Sequence, residues 1–425
     1  AAHGDEPRRR RPRPGQLRGL TQLEAQVRRI LDARLLRGLG RPLAVALSGG
    51  GDSLAVTLIA DGWAREAGRP LIILTVDHGL QAQSRAWTQA CARIAERLER
   101  PFRALVWSGE KPQTGVPAAA RAARHRLVAD AARAAGARVI LMGHTADDVA
   151  EAQAMRAAGA TTPDPREWAP SPAWPEGRGV FLLRPLVGVR RAALREWLTA
   201  RGESWIDDPA NLDPRYARAR ARLASPEPQA VEAAPALPLA AAATEADGVI
   251  RLARGAFAAA DAREARRFVS LAAVCAGGGS RPPAAARAER ASALLRSQAT
   301  VATTLAGARL EADAAEIRIF REAGEAARGG LAMLPPGAQG PVVWDGRFVF
   351  DPEGREVRRL AGLARRLPLA EQAALRDLPP AARGGLPVVL GADGEASSPV
   401  LSGRAESLVG ARLRAAAGLV LSEPE

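Results

Sequence analysis

Leu43-Ala44-Val45-Ala46-Leu47-Ser48-Gly49-Gly50-Gly51-Asp52-Ser53 is the stretch that decides how this chain is read. Five apolar residues of strand character run into a serine and three glycines, and a helix-like stretch, Leu54 to Ala67, follows at once. Glycines let a backbone approach phosphate closely and turn its N–H groups inward, and a helix N-terminus adds the positive end of its dipole. Asp52 would repel a phosphate held there; a Mg²⁺ ion between the two resolves the conflict. The Gly-Lys-Ser/Thr ending of a P-loop is absent, and the glycines are contiguous rather than spaced as in a dinucleotide fingerprint.

The surroundings support a nucleotide-binding sheet. Leu43–Leu47, Leu71–Val76, Phe102–Trp107 and Val139–Met142 read as strands, with Ala-rich helical stretches between them, clearest over Ser84–Leu98 and Pro117–Ala135. This alternation, continuing to about Arg222, predicts an α/β fold with an open parallel sheet. Ligands bind beyond the carboxyl ends of such strands, where Ser48, Asp77 and Gly143 fall. Thr161–Gly179, rich in Pro, Trp and Gly, reads as an irregular insertion. Ala243 to about Ser297 is helix-like. Thr303–Arg321 alternates as a hairpin of Thr304–Leu310 with Glu316–Phe320, and Val342–Phe350 holds a strand pair turned at Asp345-Gly346. The expected plan is a disordered basic tail over 1–20, a nucleotide-binding domain over 21–224 and a linker over 225–242. A helical or mixed domain over 243–330 and a small mixed region over 331–425 complete it.

A second constellation is Met142-Gly143-His144-Thr145-Ala146-Asp147-Asp148-Val149-Ala150-Glu151. His144, Asp148 and Glu151 fall at i, i+4 and i+7, one face of a helix, with Asp147 one step round. Capping of the helix start accounts for one of the two aspartates. Three acids and a histidine so close together suit a hard cation or an amine, whereas a zinc site wants more nitrogen or sulfur. Val76-Asp77-His78-Gly79-Leu80 ends the second strand; Asp77 can accept a hydrogen bond, and His78 can stack on or bond to a nucleotide.

Composition narrows the partners. The chain has 425 residues, 60 Lys and Arg against 46 Asp and Glu, and a formal net charge of +14. Lys111 is its one lysine, so the positive charge is almost all arginine. A strongly basic enzyme most simply has a polyanionic partner. Cys91 and Cys275 are far apart and show no metal-binding or Cys-x-x-Cys spacing, which fits a reducing, cytoplasmic setting. No apolar run reaches membrane-spanning length, and Ala1–Gly15 lacks the apolar core of a signal peptide.

The string Ser48-Gly49-Gly50-x-Asp52-Ser53 resembles the PP-loop of the ATP-pyrophosphatase superfamily. Taken with Val76–Leu80 and Gly143-His144-x-x-Asp147-Asp148-x-x-Glu151, in that order and approximate spacing, it resembles the tRNA(Ile)-lysidine synthetase family. Ala120-Arg121-Ala122-Ala123-Arg124 is similar to that family's Ala-Arg-x-x-Arg helix, and Leu183-Arg184-Pro185-Leu186 to its Arg-Pro-Leu segment. Asp208-Pro209-Ala210-Asn211-x-Asp213, leading to Tyr216-Ala217-Arg218, is similar to the segment that closes its catalytic domain. His125, Gln81, Ala152 and Ala219 depart from the family's usual Tyr, Arg, Thr and Asn.

The resemblance implies a parallel-sheet PP-loop catalytic domain, of the adenine nucleotide alpha hydrolase-like kind, followed by a helical and a small mixed α+β C-terminal region. It implies ATP, Mg²⁺, free L-lysine and the isoleucine tRNA with a CAU anticodon as cofactors and partners, with no membrane; a homodimer is compatible with it. Lysine would be ligated to carbon 2 of the wobble cytidine through an adenylated intermediate. Ser48, Gly49, Gly50, Gly51 and Ser53 would cradle pyrophosphate, with Asp77, His78 and His144 also at the nucleotide. Asp52 and Asp148 would hold the metal. Glu151 and whichever of Asp147 and Asp148 does not hold metal would bind the lysine ammonium groups or help deprotonate the ε-amine, and Arg121, Arg124, Arg184 and Arg218 would meet tRNA or phosphate. Two rival PP-loop activities fit less well. tRNA thiolation usually needs a cysteine set that Cys91 and Cys275 do not make, and NAD or GMP synthesis leaves the basic balance unexplained. A non-catalytic RNA-binding descendant would be expected to have lost some of Asp52, Asp147, Asp148 and Glu151.

Overall fold

The glycine turn and the acidic helix start come together because of strand order. In the computed structural model, residues 14–80, 83–159, 165–170, 179–208, 217–224, 227, 235–297, 300–325, 330–331, 333–391 and 394–425 are described. Residues 1–13 of the expected tail, Gln81, most of Thr161–Gly179, the stretch from Pro209 to Tyr216 and most of the expected linker before residue 235 lie outside them. Two compact units divide the described residues. The first takes those within Ala1–Ser171, Val180–Ala233 and Leu421–Glu425, and the second those within Pro172–Gly179 and Ala234–Val420.

The first unit runs α1 (Pro14–Arg34), β1 (Leu43–Ala46), α2 (Gly51–Glu66), β2 (Leu71–Asp77), α3 (Ser84–Arg97), β3 (Phe102–Val106) and α4 (Val116–Ala134). It continues with β4 (Val139–Met142), α5 (Ala146–Ala157), β5 (Trp168–Pro170), β6 (Phe181–Leu183), α6 (Arg191–Ala200) and α7 (Ala217–Leu223). Helix α1 begins at Pro14, inside the stretch expected to be a tail.

Six strands form one sheet in the order β3-β2-β1-β4-β6-β5, parallel except for β5. Ala44 of β1 sits between Ile72 of β2 and Ile140 of β4. Every residue of β4 and the first three of β1 are buried, so these strands read as unbroken apolar runs, as strands covered on both faces do. The chain steps outward from β1 through β2 to β3 and then returns to lay β4 on the other side of β1. Strand order therefore reverses between β1 and β4, and their carboxyl ends open a crevice. Leu54, Ile59 and Trp63 of α2 pack in one core with Val27 and Leu31 of α1 and with Leu194, Trp197 and Leu198 of α6. Their i, i+3, i+4 spacing on α6 buries one helical face.

The end of the chain also packs into this unit. Glu423 is 3 % exposed, and its two carboxylate oxygens accept from Nη1 and Nη2 of Arg69 at 2.9 and 3.0 Å. The Leu36 amide and Arg41 donate to the same carboxylate at 3.2 and 3.3 Å.

The second unit contains α8 (Pro238–Ala242), β7 (Thr244–Ala246), β8 (Val249–Ala253), α9 (Arg254–Ala259), α10 (Ala262–Ala276), α11 (Ala285–Ser297), β9 (Val301–Leu305), β10 (Ala308–Ala312) and β11 (Glu316–Arg321). An antiparallel sheet in the order β7-β8-β11-β10-β9 shares a core with α10, α11 and Val409–Ala417. A second core gathers Trp344, Phe348, Phe350 and Val388. The expected strand Thr304–Leu310 is instead two strands. Ala306 and Gly307 turn the chain with φ of +51° and +79°, and apolar alternation continues across the turn and hides it. The helix-like reading from Ala243 is likewise corrected: β7 and β8 come first, joined at Asp247-Gly248 with φ of +52° and +81°. The strand pair turned at Asp345-Gly346 is present.

Candidate active site

Helix α2 starts without a side-chain cap: Gly50 is its N-cap residue and offers none. The N–H groups of its first turn are thus left to an incoming anion. The turn is held by its own serines. The Ser48 amide donates to Ser53 Oγ at 3.1 Å, and Ser53 Oγ donates to the Gly50 carbonyl at 2.8 Å. Gly49 has φ +84°, and a Cβ there would lie 2.6 Å from Ile206 Cδ1, whose backbone amide donates to the Gly49 carbonyl at 2.9 Å. Gly143, at the end of β4, presses against the turn; a Cβ would lie 2.6 Å from the Asp52 carbonyl oxygen and 2.8 Å from the Ser53 nitrogen.

Helix α5 starts the opposite way. Thr145 caps it, and Asp148 returns the bond in a capping box, accepting from the Thr145 amide at 2.7 Å and the Thr145 hydroxyl at 3.0 Å. His144 precedes the cap, so it does not share a helical face with Asp148 and Glu151, as the spacing had suggested. Asp147 accepts from the Arg191 amide at 2.7 Å and lies 3.3 Å from Arg190, which fixes the start of α6.

Arginine dominates what the sequence left unassigned. Arg191 Nε donates to Asp52 at 3.1 Å, Nη1 to Glu151 at 3.2 Å and Nη2 to Asp148 at 3.4 Å. Arg218 donates to Asp148 at 2.5 Å and Glu151 at 2.9 Å, and Arg222 donates to Glu151 at 2.9 Å. One signal for Arg191 existed: an Arg-Arg pair directly after Val187-Gly188-Val189, where α6 begins.

A cavity of about 690 Å³ opens here, lined by Ser48, Gly50, Gly51, Asp52, Ser53, Asp77, His78, His144, Asp148, Arg124 and Arg218 of the expected residues, together with Arg191, Arg195 and Arg222. Gly49, Asp147, Glu151, Arg121 and Arg184 do not line it. Arg184, 5 % exposed, donates to His144 Nδ1 at 3.3 Å and to the Arg166 carbonyl at 2.9 Å, so it braces His144. His78 Nδ1 and Arg124 Nε are buried without a hydrogen-bond partner among the described residues. Orphaned polar atoms of this kind beside a roomy polar cavity fit a nucleotide, with the Arg124 guanidinium suited to its phosphates.

Burial drives the Asp148 carboxyl up, yet Arg218, Arg191 and the Thr145 amide outweigh it and hold the group at about 2. Burial prevails at Asp52 and raises it despite Arg191. His144 is pushed well below its usual range by burial and by Arg184, so it stays neutral. Burial and then Arg121 bring Arg124 down to about 10. Asp52 and Asp148 both accept from the Arg191 guanidinium, so one cationic group already bridges them. Among the described residues no three His, Cys, Asp or Glu are grouped to hold a metal by themselves. Two carboxylates completed by phosphate and water oxygens are the usual way Mg²⁺ is held.

A family model described as a PP-loop domain matches residues 20–225. The tRNA(Ile)-lysidine synthase of Caulobacter vibrioides is 47 % identical over 94 % of this chain and 98 % of its own. That of Rhizobium meliloti is 35 % identical over 77 % of each chain, and that of Hyphomonas neptunium 41 % identical over 48 % of this chain and 56 % of its own. With a relative this similar along nearly its whole length, and with the glycine turn and acidic helix start meeting at one crevice, the chain belongs to the tRNA(Ile)-lysidine synthase family.

Proposed function

We propose that this protein ligates lysine to carbon 2 of the wobble cytidine in the isoleucine tRNA with a CAU anticodon, consuming ATP and changing codon reading from AUG to AUA. The observation that carries the reading is the meeting of an uncapped glycine turn with Asp52 and Asp148 at one cavity, with Glu151 joined to them through Arg191. The carbonyl oxygen at carbon 2 attacks the α-phosphate of ATP and releases pyrophosphate, turning a poor leaving oxygen into an adenylate. The ε-amine of lysine then attacks carbon 2 and expels AMP.

Each step asks for groups that are present. First-turn N–H groups of α2 and the Ser48 and Ser53 hydroxyls receive the pyrophosphate. Mg²⁺ held by Asp52 and Asp148 would supply charge neutralisation as negative charge builds on the phosphates. Arg124 and Arg218 meet phosphate, and Arg121, beside Arg124, adds positive field. His78 and Asp77, at the end of β2, face the nucleoside end of the cavity. Lysine's ε-amine, with a reference pKa of about 10.4, is protonated at neutral pH and must lose that proton to react. Asp148, held at about 2, is a counter-charge suited to the metal and a poor acceptor for that proton. Glu151, buried under three guanidinium groups, offers the ammonium site once a guanidinium moves away.

The test is incorporation of labelled lysine into transcribed tRNA. Label should enter the CAU-anticodon isoleucine tRNA only with ATP, and a transcript with uridine at the wobble position should stay unlabelled. A folded protein that transfers no label to the CAU transcript would overturn the proposal.

A further inference from the structure

The guanidinium of Arg191 joins the glycine turn to the acidic helix. Its three nitrogens reach three carboxylates: Asp52 on the turn, and Asp148 and Glu151 on α5. Arg218 donates to Asp148 and Glu151. Three arginines, Arg191, Arg218 and Arg222, face these three acids, so the charge of the cluster is matched from within. An ammonium ion arriving at this site finds no carboxylate in want of a cation.

We infer that Arg191 is a positioning residue that makes lysine binding wait for nucleotide: a polyphosphate on the turn draws its guanidinium away from Asp148 and Glu151, which leaves Asp148 to the metal and Glu151 to receive the substrate ammonium. This rests on the proposal that the acidic cluster binds lysine. The geometry supports the exchange. The guanidinium contacts Asp52, a first-turn residue of α2, so rotation about its side-chain bonds carries it to an anion at that helix start without backbone movement. Its main-chain nitrogen is pinned to Asp147 at 2.7 Å, which keeps the pivot fixed while the side chain moves. Guanidinium binds phosphate through the same planar fork it uses for carboxylate, so the two partners compete for one group. Such coupling is reciprocal, and lysine must tighten nucleotide by the same factor.

The experiment is calorimetric titration of L-lysine into the full chain, alone and with a saturating non-hydrolysable ATP analogue and Mg²⁺. The wild type should bind lysine at least about tenfold more tightly with the analogue. Arg191→Gln should shrink that ratio to about twofold or less by tightening binding without nucleotide. Arg218→Gln, which also removes a cation from Asp148 and Glu151 but breaks no contact with Asp52, should lower the ratio less than Arg191→Gln does; an equal or larger fall overturns the assignment to Arg191. If Arg191→Gln loses its cooperative melt, Arg191→Lys replaces it; an ammonium spans fewer of the three carboxylates, and the ratio should fall by about threefold or more. A ratio preserved in the Arg191 variants overturns the inference, as does a wild-type ratio of one. A Glu151→Gln variant that binds lysine as the wild type does would instead bring down the underlying assignment of the acidic cluster to lysine, and this inference with it.

Discussion

Two arginine–carboxylate assemblies in the first unit use the same chemistry to opposite ends. Arg69 and Glu423 meet fork to fork, with both side chains at 0 % exposure, and further donors from Arg41 and Leu36 saturate the carboxylate. At the crevice the fork of Arg191 is split over three acids, Glu151 is shared by three arginines, and a cavity of about 690 Å³ lies alongside. A matched bidentate pair gives each charge its best partner and leaves nothing to exchange. A cluster whose forks are shared among several acids balances its charge while leaving each group a better-fitting partner to find. The first arrangement fastens the chain end, and the second is fit for binding.

Breaking each assembly should separate stability from activity. The largest effect is expected at the buried pair. Glu423→Gln strands the Arg69 charge and should cost about 3–5 kcal/mol in denaturant unfolding, while lysine transfer by the folded fraction keeps its kcat. Replacing both partners, Arg69→Met with Glu423→Leu, should restore most of that loss. Asp52→Asn should do the reverse. Turnover should fall about 10²–10³-fold, as when one charge-stabilising group is removed from a transition state. The unfolding midpoint at pH 7 should hold or rise, because burial raises the Asp52 pKa and its ionised form is costly in the fold. tRNA binding, measured by filter retention, should be largely unchanged.

A third test concerns the buried imidazoles beside the site. His125 is pushed from 6.5 to about 2 by burial and then by Arg124 and Arg121, so the folded protein keeps it neutral. The unfolded chain takes up that proton below pH 6.5, so stability is full above 6.5 and falls as pH drops. The loss should reach about 2 kcal/mol by pH 5 for this one histidine, at about 1.4 kcal/mol per pH unit. His125→Tyr should remove that share of the acid slope, read from melts across pH 5 to 7. The smallest effect, about 1–2 kcal/mol, is expected from Gly143→Ala, whose Cβ must push the Asp52 carbonyl from 2.6 Å. Its signature would be a weakened ATP affinity larger than the stability change alone implies.

Much of this was legible in sequence because it is local. Ser48–Ser53 announces a turn through its glycines, and Leu43–Ala46 and Val139–Met142 announce buried parallel strands by lacking alternation. Asp148 was readable as a capping residue three positions after Thr145. What was not legible depended on distance in the chain. Arg191 stands 139 residues from Asp52, and no spacing rule links them; in a chain with 60 Lys and Arg, its charge carried no local signal. Arg184 was visible as a motif residue, but its burial against His144 was not. The turns at Asp247-Gly248 and Ala306-Gly307 were missed for a different reason: a two-residue turn preserves the apolar alternation on either side.

The most direct test of the central claim separates the two chemical steps on one tRNA molecule. The CAU-anticodon transcript is incubated with enzyme, ATP and Mg²⁺ but no lysine, and its intact mass is measured; lysine is then added without further ATP. The expected result is an adenylated tRNA after the first step, and after the second a lysine adduct stable to mild alkali, formed with release of AMP. An unchanged tRNA after the first step, or lysine held by an alkali-labile ester at the 3′ end, would contradict the account.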